Sequence, residues 1–203
     1  MYYHNPKVIS GLKGLSGDIY RYAVDTIYAH KSVLNQCEFF ITTDDDRVSH
    51  HIRKLLFSSY GVTSSTAYVS KDINPVSKEF NLAPIESVKS KIYVSENTIL
   101  GLVLDYELDF DRVKKLMHFI IKHEIGHCID HAKFVGKPLH EFKSYYDHPF
   151  QEFIPSYFSL KDALTNFIAL NNRPEEKAAN DAVGITREEI EDFITTLVGP
   201  FYS

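Results

Sequence analysis

The sequence predicts a single domain of the α+β class, in which a small twisted sheet packs on a long helix and the second half is helical. Three observations support this prediction. Short β-branched and aromatic runs are confined to the first half of the chain, and helical spacing of apolar residues dominates the second. The chain has 203 residues, of which 44% are hydrophobic, so it can bury one core. We place the N-terminal half of helices and strands at about 1–108 and the helical half at about 109–203.

The first half alternates helical and strand-like segments. Apolar spacing predicts a helix over 17–36, and an aspartate run followed by a glycine predicts another over 45–60. Segment 71–90 contains two prolines and mixed polar residues, which predicts a long loop. The strand candidates are 38–42, 66–70 and 91–95.

The second half begins with the clearest helix, which we expect to run from Asp109 or Asp111 to His131. A polar loop is expected at 136–148, followed by a long helix at 149–170 and a short one at 175–182. Thr186 and Glu189 have the spacing of a capping box, which predicts a last helix that ends before Gly199.

The long helix carries the chemistry, in the motif His123-Glu124-Ile125-Gly126-His127. Histidines four residues apart lie on one helical face, where both ring nitrogens can bind one zinc ion. That face also carries apolar residues, and burying two imidazoles without partners is unfavourable, whereas a metal ion satisfies them. Glu124 is displaced by about 100° around the helix, where it can act as a general base on a metal-activated water.

Residues next to the motif lead to further expectations. Gly126 destabilises a helix interior by about 1 kcal/mol relative to Ala, which favours close approach of another backbone there. Asp130 either orients a histidine or solvates the helix end, and we keep both alternatives. His131 lies about 12 Å along the axis from His123, too far to share an ion, and we expect it to be exposed.

A site with two histidines needs a third protein ligand. The extended motif HExxHxxGxxH is absent, because Ile129 and Lys133 occupy the required positions. A carboxylate from a later helix is therefore expected, and Glu152 and Glu176 are the two candidates.

The segment from His123 to Asp130, together with Tyr145 and the run that begins at Glu152, resembles the anthrax lethal factor catalytic domain and the related Pro-Pro endopeptidases. The shared features are HExGHxxD, a tyrosine seven residues before a glutamate, and aromatic residues after that glutamate. The resemblance implies a zincin-like fold with His123, His127 and Glu152 as metal ligands. It implies Glu124 as the base and Tyr145, or the adjacent Tyr146, as the phenol that assists the oxyanion.

The sequence Glu176-Lys177-Ala178-Ala179-Asn180 resembles a different group, the phage-repressor-cleaving and radiation-response regulator peptidases. That resemblance implies Glu176 as the third ligand and Asn180 as its polar partner. A zinc-binding module without catalytic activity is a further alternative, although an intact general base disfavours it.

These features predict a zinc-dependent endopeptidase that holds one Zn²⁺ and cleaves a protein or peptide, with the substrate extended along strand 91–95. The net charge of −5 argues against a nucleic-acid partner, and no apolar stretch is long enough for a membrane span. The first residues show no secretory signal, so we expect a cytoplasmic or cytosol-made protein, although a secreted mature form would look the same. The two cysteines, Cys37 and Cys128, are expected to be reduced.

Overall fold

A computed structural model describes residues 29, 37–42, 61–95, 109–146 and 160–198 of the chain. These residues form a mixed α+β structure, as predicted. The predicted helices at 17–36 and 45–60, and the first part of the one at 149–170, lie outside the described residues. The elements are β1 (Cys37–Thr42), β2 (Gly61–Val69), a 3-10 helix (Lys78–Leu82), β3 (Ile85–Ser95), α1 (Phe110–Ala132), α2 (Leu139–Tyr146), α3 (Leu160–Asn171), α4 (Pro174–Val183) and α5 (Arg187–Val198).

The three described strands form one sheet with the order β1-β3-β2. β1 runs parallel to β3, whereas β2 is antiparallel to it. β3 is therefore the central strand, which contradicts the expectation that 91–95 would be an edge for substrate. Among the described residues, β1 and β2 lie at the two edges of the sheet.

β3 also begins earlier than predicted, inside the segment that was expected to be a loop. Its inward residues Val88, Ser90, Ile92 and Val94 are all buried, with the period of two that a strand requires. Ser90 is polar at one of these inward positions and interrupts the apolar alternation. The first part of the strand could therefore not be recognised from the sequence.

Helix α1 packs against both strands and helices of the described part of the chain, and it confirms the predicted helix almost residue for residue. The N-cap is Asp109, whose carboxylate accepts a hydrogen bond from the Arg112 backbone N at 2.9 Å. One side of α1 packs on β2 and β3, and another packs on α4 and α5. The buried apolar residues along it include Val113, Leu116, Met117, Ile120, Ile121 and Ile125.

The segment after α1 was expected to be a polar loop, and in part it is helical. Leu139 and Phe142 on α2 are buried in a cluster with Phe134, Ile85 and Val88. Eight residues contain only two turns of apolar spacing, which is too little for periodicity to indicate a helix.

The C-terminal helices follow the sequence closely. The capping box is confirmed: the Thr186 backbone N donates to Glu189 Oε2 at 2.8 Å, and the Glu189 backbone N donates to Thr186 Oγ1 at 3.2 Å. Lys122 Nζ on α1 donates to Glu189 Oε1 at 2.8 Å. The start of α5 is therefore tied to the central helix.

The expectation of reduced cysteines is wrong for Cys128, which is disulfide-bonded. The other cysteine of the sequence, Cys37, belongs to β1. Sequence spacing does not report whether two distant cysteines meet in the folded chain, so a disulfide could not be predicted. Among the helices that the structure describes, none combines the length and apolarity needed to cross a bilayer.

Candidate metal centre

Two imidazoles project from α1 towards one point. His123 Nε2 and His127 Nε2 lie 3.2 Å apart, and the ring planes are nearly perpendicular. Both side chains are largely buried, with 15% and 14% of their surface exposed. The helical spacing therefore brings the two nitrogens together as the motif predicts.

Helix α4 reaches this point because Gly126 leaves room for its backbone. A Cβ atom at Gly126 would lie 2.1 Å from the carbonyl O of Ala179, a distance that real Cβ atoms do not show. The predicted close approach of another backbone is thereby confirmed. Ala179 is fully buried, and Glu176 lies three residues before it, on the same side of α4.

The carboxylate of Glu176 completes the cluster. Its Oε2 atom lies 2.9 Å from His123 Nε2 and 3.5 Å from His127 Nε2. Ligand atoms of these three residues all lie within 4.8 Å of one another. Of the two candidate third ligands, Glu176 is the one that the described structure brings to the histidines.

The charges of the cluster are strongly coupled. Burial lowers the pKa of His123, but the hydrogen bond and charge of Glu176 outweigh burial and raise this pKa to about 9. Burial raises the pKa of Glu176, but its hydrogen bonds to His123 and His127 outweigh burial and leave this pKa well below its usual range. The glutamate is therefore ionised, and it offers a negative oxygen to any cation between the imidazoles.

The outer nitrogen of His123 is held by an asparagine. Asn180 Oδ1 lies 2.8 Å from His123 Nδ1, and Asn180 Nδ2 donates to Asn171 Oδ1 at 2.9 Å. The regulator-type resemblance implied Asn180 as a partner of the glutamate. The described contact of Asn180 is instead with the histidine.

Glu124, the predicted base, is held from the sheet side. It is buried, and Thr63 Oγ1 on β2 lies 2.6 Å from Glu124 Oε2 and 3.0 Å from the Glu124 backbone O. A Cβ atom at Gly61 would lie 2.8 Å from Glu124 Oε1. β2 therefore positions the carboxylate through one hydroxyl and one missing side chain.

His131 was expected to be exposed, and this expectation is wrong. The residue is 3% exposed, and its Nδ1 lies 2.7 Å from Ser65 Oγ, which itself lies 2.7 Å from Ser90 Oγ. Burial lowers the pKa of His131 to about 3, helped by the charge of His127 and opposed by that of Glu176. The helix face that carries His131 looked solvated because its polar partners come from strands far away in sequence.

Tyr145, predicted to assist the oxyanion, lies on α2 and donates its hydroxyl to Asp130 Oδ2 at 2.7 Å. Burial, reinforced by the hydrogen bond to Asp130, raises the pKa of Tyr145. Asp130 is itself buried and also pairs with Lys133 at 3.2 Å. The carboxylate of Asp130 thus anchors α2, and its burial contradicts the alternative that it solvates the helix end. The other alternative, that Asp130 orients a histidine, stays a prediction.

Two further residues were predicted from the lethal-factor resemblance. Glu152 and the side chain of Tyr146 lie outside the described residues, so their predicted roles stay predictions. Thr63, Ser65 and Asn171 were not singled out from the sequence. Each belongs to the site only through a contact between distant segments, and no local signal marks it.

The donor set fits zinc. Ligands about 2.05 Å from a tetrahedral zinc ion lie about 3.3 Å from one another. The three separations of 3.2, 2.9 and 3.5 Å bracket that value, with two imidazole nitrogens and one carboxylate oxygen as donors.

Compared with known proteins, the chain matches no family model, no curated protein and no solved structure.

Proposed function

We propose that this protein is a zinc-dependent endopeptidase with a zincin-like domain, in which His123, His127 and Glu176 bind one Zn²⁺ and Glu124 is the general base. The observation that carries the proposal is the donor triangle of two Nε2 atoms and one Oε2 atom, with the separations that a tetrahedral ion requires. Its three protein ligands leave a fourth position for water or substrate, as in catalytic zinc sites.

The chemistry of the residues follows from their positions. A zinc ion bound here supplies a Lewis acid that polarises a peptide carbonyl and lowers the pKa of water. Glu124 would take one proton from the water as the water oxygen bonds to the peptide carbonyl carbon, and would pass this proton to the amine as the C–N bond breaks. Because Thr63 contacts Oε2, we assign the proton transfer to the Oε1 atom of Glu124.

Glu176 as third ligand corresponds to the regulator-type resemblance, whereas Glu152 corresponds to the lethal-factor-like one. The contacts of Glu176 with both histidines favour the first arrangement. Gly126 further supports Glu176 as the ligand, because the short distance between α1 and α4 at this glycine brings α4 close to the imidazoles. Glu152 and Tyr145 remain the ligand and the phenol of the alternative arrangement.

The proposed substrate is a protein or peptide bound in extended form. β2 is the better candidate than β3 for the strand that receives it, since β3 pairs on both sides and β2 contributes Thr63 next to the base. Within the described residues, β2 pairs only with β3.

The test uses a peptide library and mass spectrometry. Zinc-loaded wild type is expected to cleave a subset of the peptides, and Glu124→Gln is expected to lower the rate about 10²- to 10⁴-fold while retaining zinc. Glu188→Gln, which changes an exposed glutamate on α5 in the same way, serves as the matched control. Cleavage by Glu124→Gln at the wild-type rate, or a wild type that binds no zinc, contradicts the proposal.

A further inference from the structure

We propose that Asn171, on α3, is a positioning residue for the metal centre: it fixes the amide of Asn180 so that His123 carries its proton on Nδ1 and presents Nε2 to the metal. This inference rests on the proposed function and adds a residue that belongs to none of the motifs in the sequence. The contacts form a directed chain, which can be followed from a backbone carbonyl to the ligand nitrogen.

The series of hydrogen bonds starts at a backbone carbonyl, which fixes the orientation of the Asn171 side-chain amide. Asn171 Nδ2 donates to the backbone O of Phe167 at 2.9 Å. A carbonyl oxygen can only accept, so the amide nitrogen of Asn171 must face Phe167. The amide oxygen of Asn171 therefore points the other way, towards Asn180.

The orientation of the Asn171 amide fixes that of the Asn180 amide, and this in turn determines which nitrogen of His123 carries the proton. Asn171 Oδ1 accepts from Asn180 Nδ2 at 2.9 Å, which leaves Asn180 Oδ1 facing His123 Nδ1 at 2.8 Å. Because this oxygen can only accept, the proton of a neutral His123 belongs on Nδ1. Its Nε2 atom, which faces Glu176 and His127, then has the lone pair that a zinc ion needs.

Burial of both asparagines makes the opposite amide orientations unfavourable. Asn171 is 8% exposed and Asn180 is 4% exposed, so water cannot readily replace a lost partner. Rotating the amide of Asn180 by half a turn would set two oxygens against each other at Asn171 and two N–H groups against each other at His123. Each mismatched buried group would be left unsatisfied, which is unfavourable. Asn171 thus reinforces one tautomer, although it lies on a different helix from every proposed ligand.

The experiment compares Asn171→Leu with Asn171→Asp. Leu has similar bulk but no polar atom, whereas Asp keeps an oxygen that can accept from Asn180 Nδ2. If Asn171 sets direction, Leu weakens zinc binding about 10- to 100-fold, measured by competition with a chelator, and Asp weakens it less. If Asn171 only fills space, Leu binds zinc as well as Asp or better, because Asp buries a charge.

Two controls separate the contribution of charge and shape. Asn172→Leu and Asn172→Asp make the same changes at the next residue, which is exposed, and both are expected to bind zinc like wild type. At each position, the zinc affinity of the Asp variant is compared with that of the Leu variant. If Asn172→Asp exceeds Asn172→Leu by as much as Asn171→Asp exceeds Asn171→Leu, charge alone explains the difference and the proposal is overturned.

A second readout begins with wild type alone, so its first part does not depend on a variant that folds. Long-range ¹H–¹⁵N spectra of zinc-loaded wild type are expected to show His123 with a proton on Nδ1 and the metal on Nε2. In Asn171→Leu the Nδ1 proton should exchange with water at least about tenfold faster, since its acceptor is no longer fixed. Zinc on Nδ1 in wild type, or an unchanged exchange rate in a folded Asn171→Leu, overturns the inference but leaves the zinc site standing. A wild type without zinc instead overturns the proposed function itself.

Discussion

The two sides of α1 are built in different ways. On the side of α4, two histidines and a glutamate converge with their ligand atoms within 4.8 Å of one another. On the side of β2, Glu124 and His131 each meet a neutral hydroxyl, from Thr63 and Ser65 respectively. The first side has the composition of a site for a cation, and the second is satisfied by protein groups alone.

Under the proposed function, this difference predicts that metal binding and proton transfer can be altered separately. Changes on the α4 side should alter zinc retention, and changes on the β2 side should alter turnover or acid stability with zinc retained.

The largest effect is expected from Gly126→Ala on the α4 side. Helix propensity alone predicts that Ala stabilises a helix interior by about 1 kcal/mol. Because the added Cβ would lie 2.1 Å from Ala179 O, we expect the opposite sign, with the free energy of unfolding lowered by about 1–3 kcal/mol. Zinc should also be lost, since α4 must move away with Glu176. Denaturant unfolding and zinc content measure both effects, and a stabilised, zinc-loaded variant would refute the close contact.

An intermediate effect is expected from Thr63→Val on the β2 side. The change keeps the shape of the side chain and removes the hydroxyl that contacts Glu124 Oε2 at 2.6 Å. Loss of one hydrogen bond to a charged group should lower kcat about tenfold, with zinc affinity unchanged. Thr66→Val, at an exposed position of the same strand, is the control. Zinc loss from Thr63→Val without loss from the control would show that the two sides are not separable.

The smallest effect is expected in the acid stability of wild type beside His131→Gln. Burial lowers the pKa of His131 from 6.5 to about 3, so between these values the unfolded chain binds a proton that the folded chain does not. The stability from neutral His131 is therefore present above pH 6.5 and is lost as the pH falls towards 3. This residue adds up to about 1.4 kcal/mol per pH unit to the acid-side slope.

Denaturant unfolding of zinc-loaded protein between pH 7 and pH 5 measures this slope. His131→Gln should remove the added slope, whereas His140→Gln, which changes an exposed histidine, should keep it. Equal slopes for wild type and His131→Gln would mean that His131 is protonated in the folded protein.

Features with a local cause could be predicted from the sequence. Helix α1 follows from its apolar spacing and from an aspartate cap, and the start of α5 follows from the Thr186–Glu189 pair, because each depends on residues within a few positions. The convergence of His123 and His127 belongs to the same class, because both residues lie on one helix and their spacing of four places them on one face. The glycine at 126 indicated that another backbone comes close, but it did not indicate which one.

Features that depend on distant contacts could not be predicted. His131 looked exposed because its partner Ser65 lies 66 positions away, on a strand whose polar side chains gave no sign of facing a helix. The choice between Glu152 and Glu176 was open for the same reason, since both are glutamates in helical segments after the motif. Among the described residues, the contact of Gly126 with Ala179 is what brings Glu176 to the histidines.

Zinc retention in Glu176→Gln beside Glu152→Gln, measured by elemental mass spectrometry after mild chelator challenge, decides whether Glu176 is the third ligand. The two variants make the same change at the two rival ligands, so each is the other's control. We predict that wild type and Glu152→Gln keep about one zinc per chain and that Glu176→Gln loses it. If Glu176→Gln keeps its zinc and Glu152→Gln loses it, the centre proposed here is wrong and Glu152 is the third ligand.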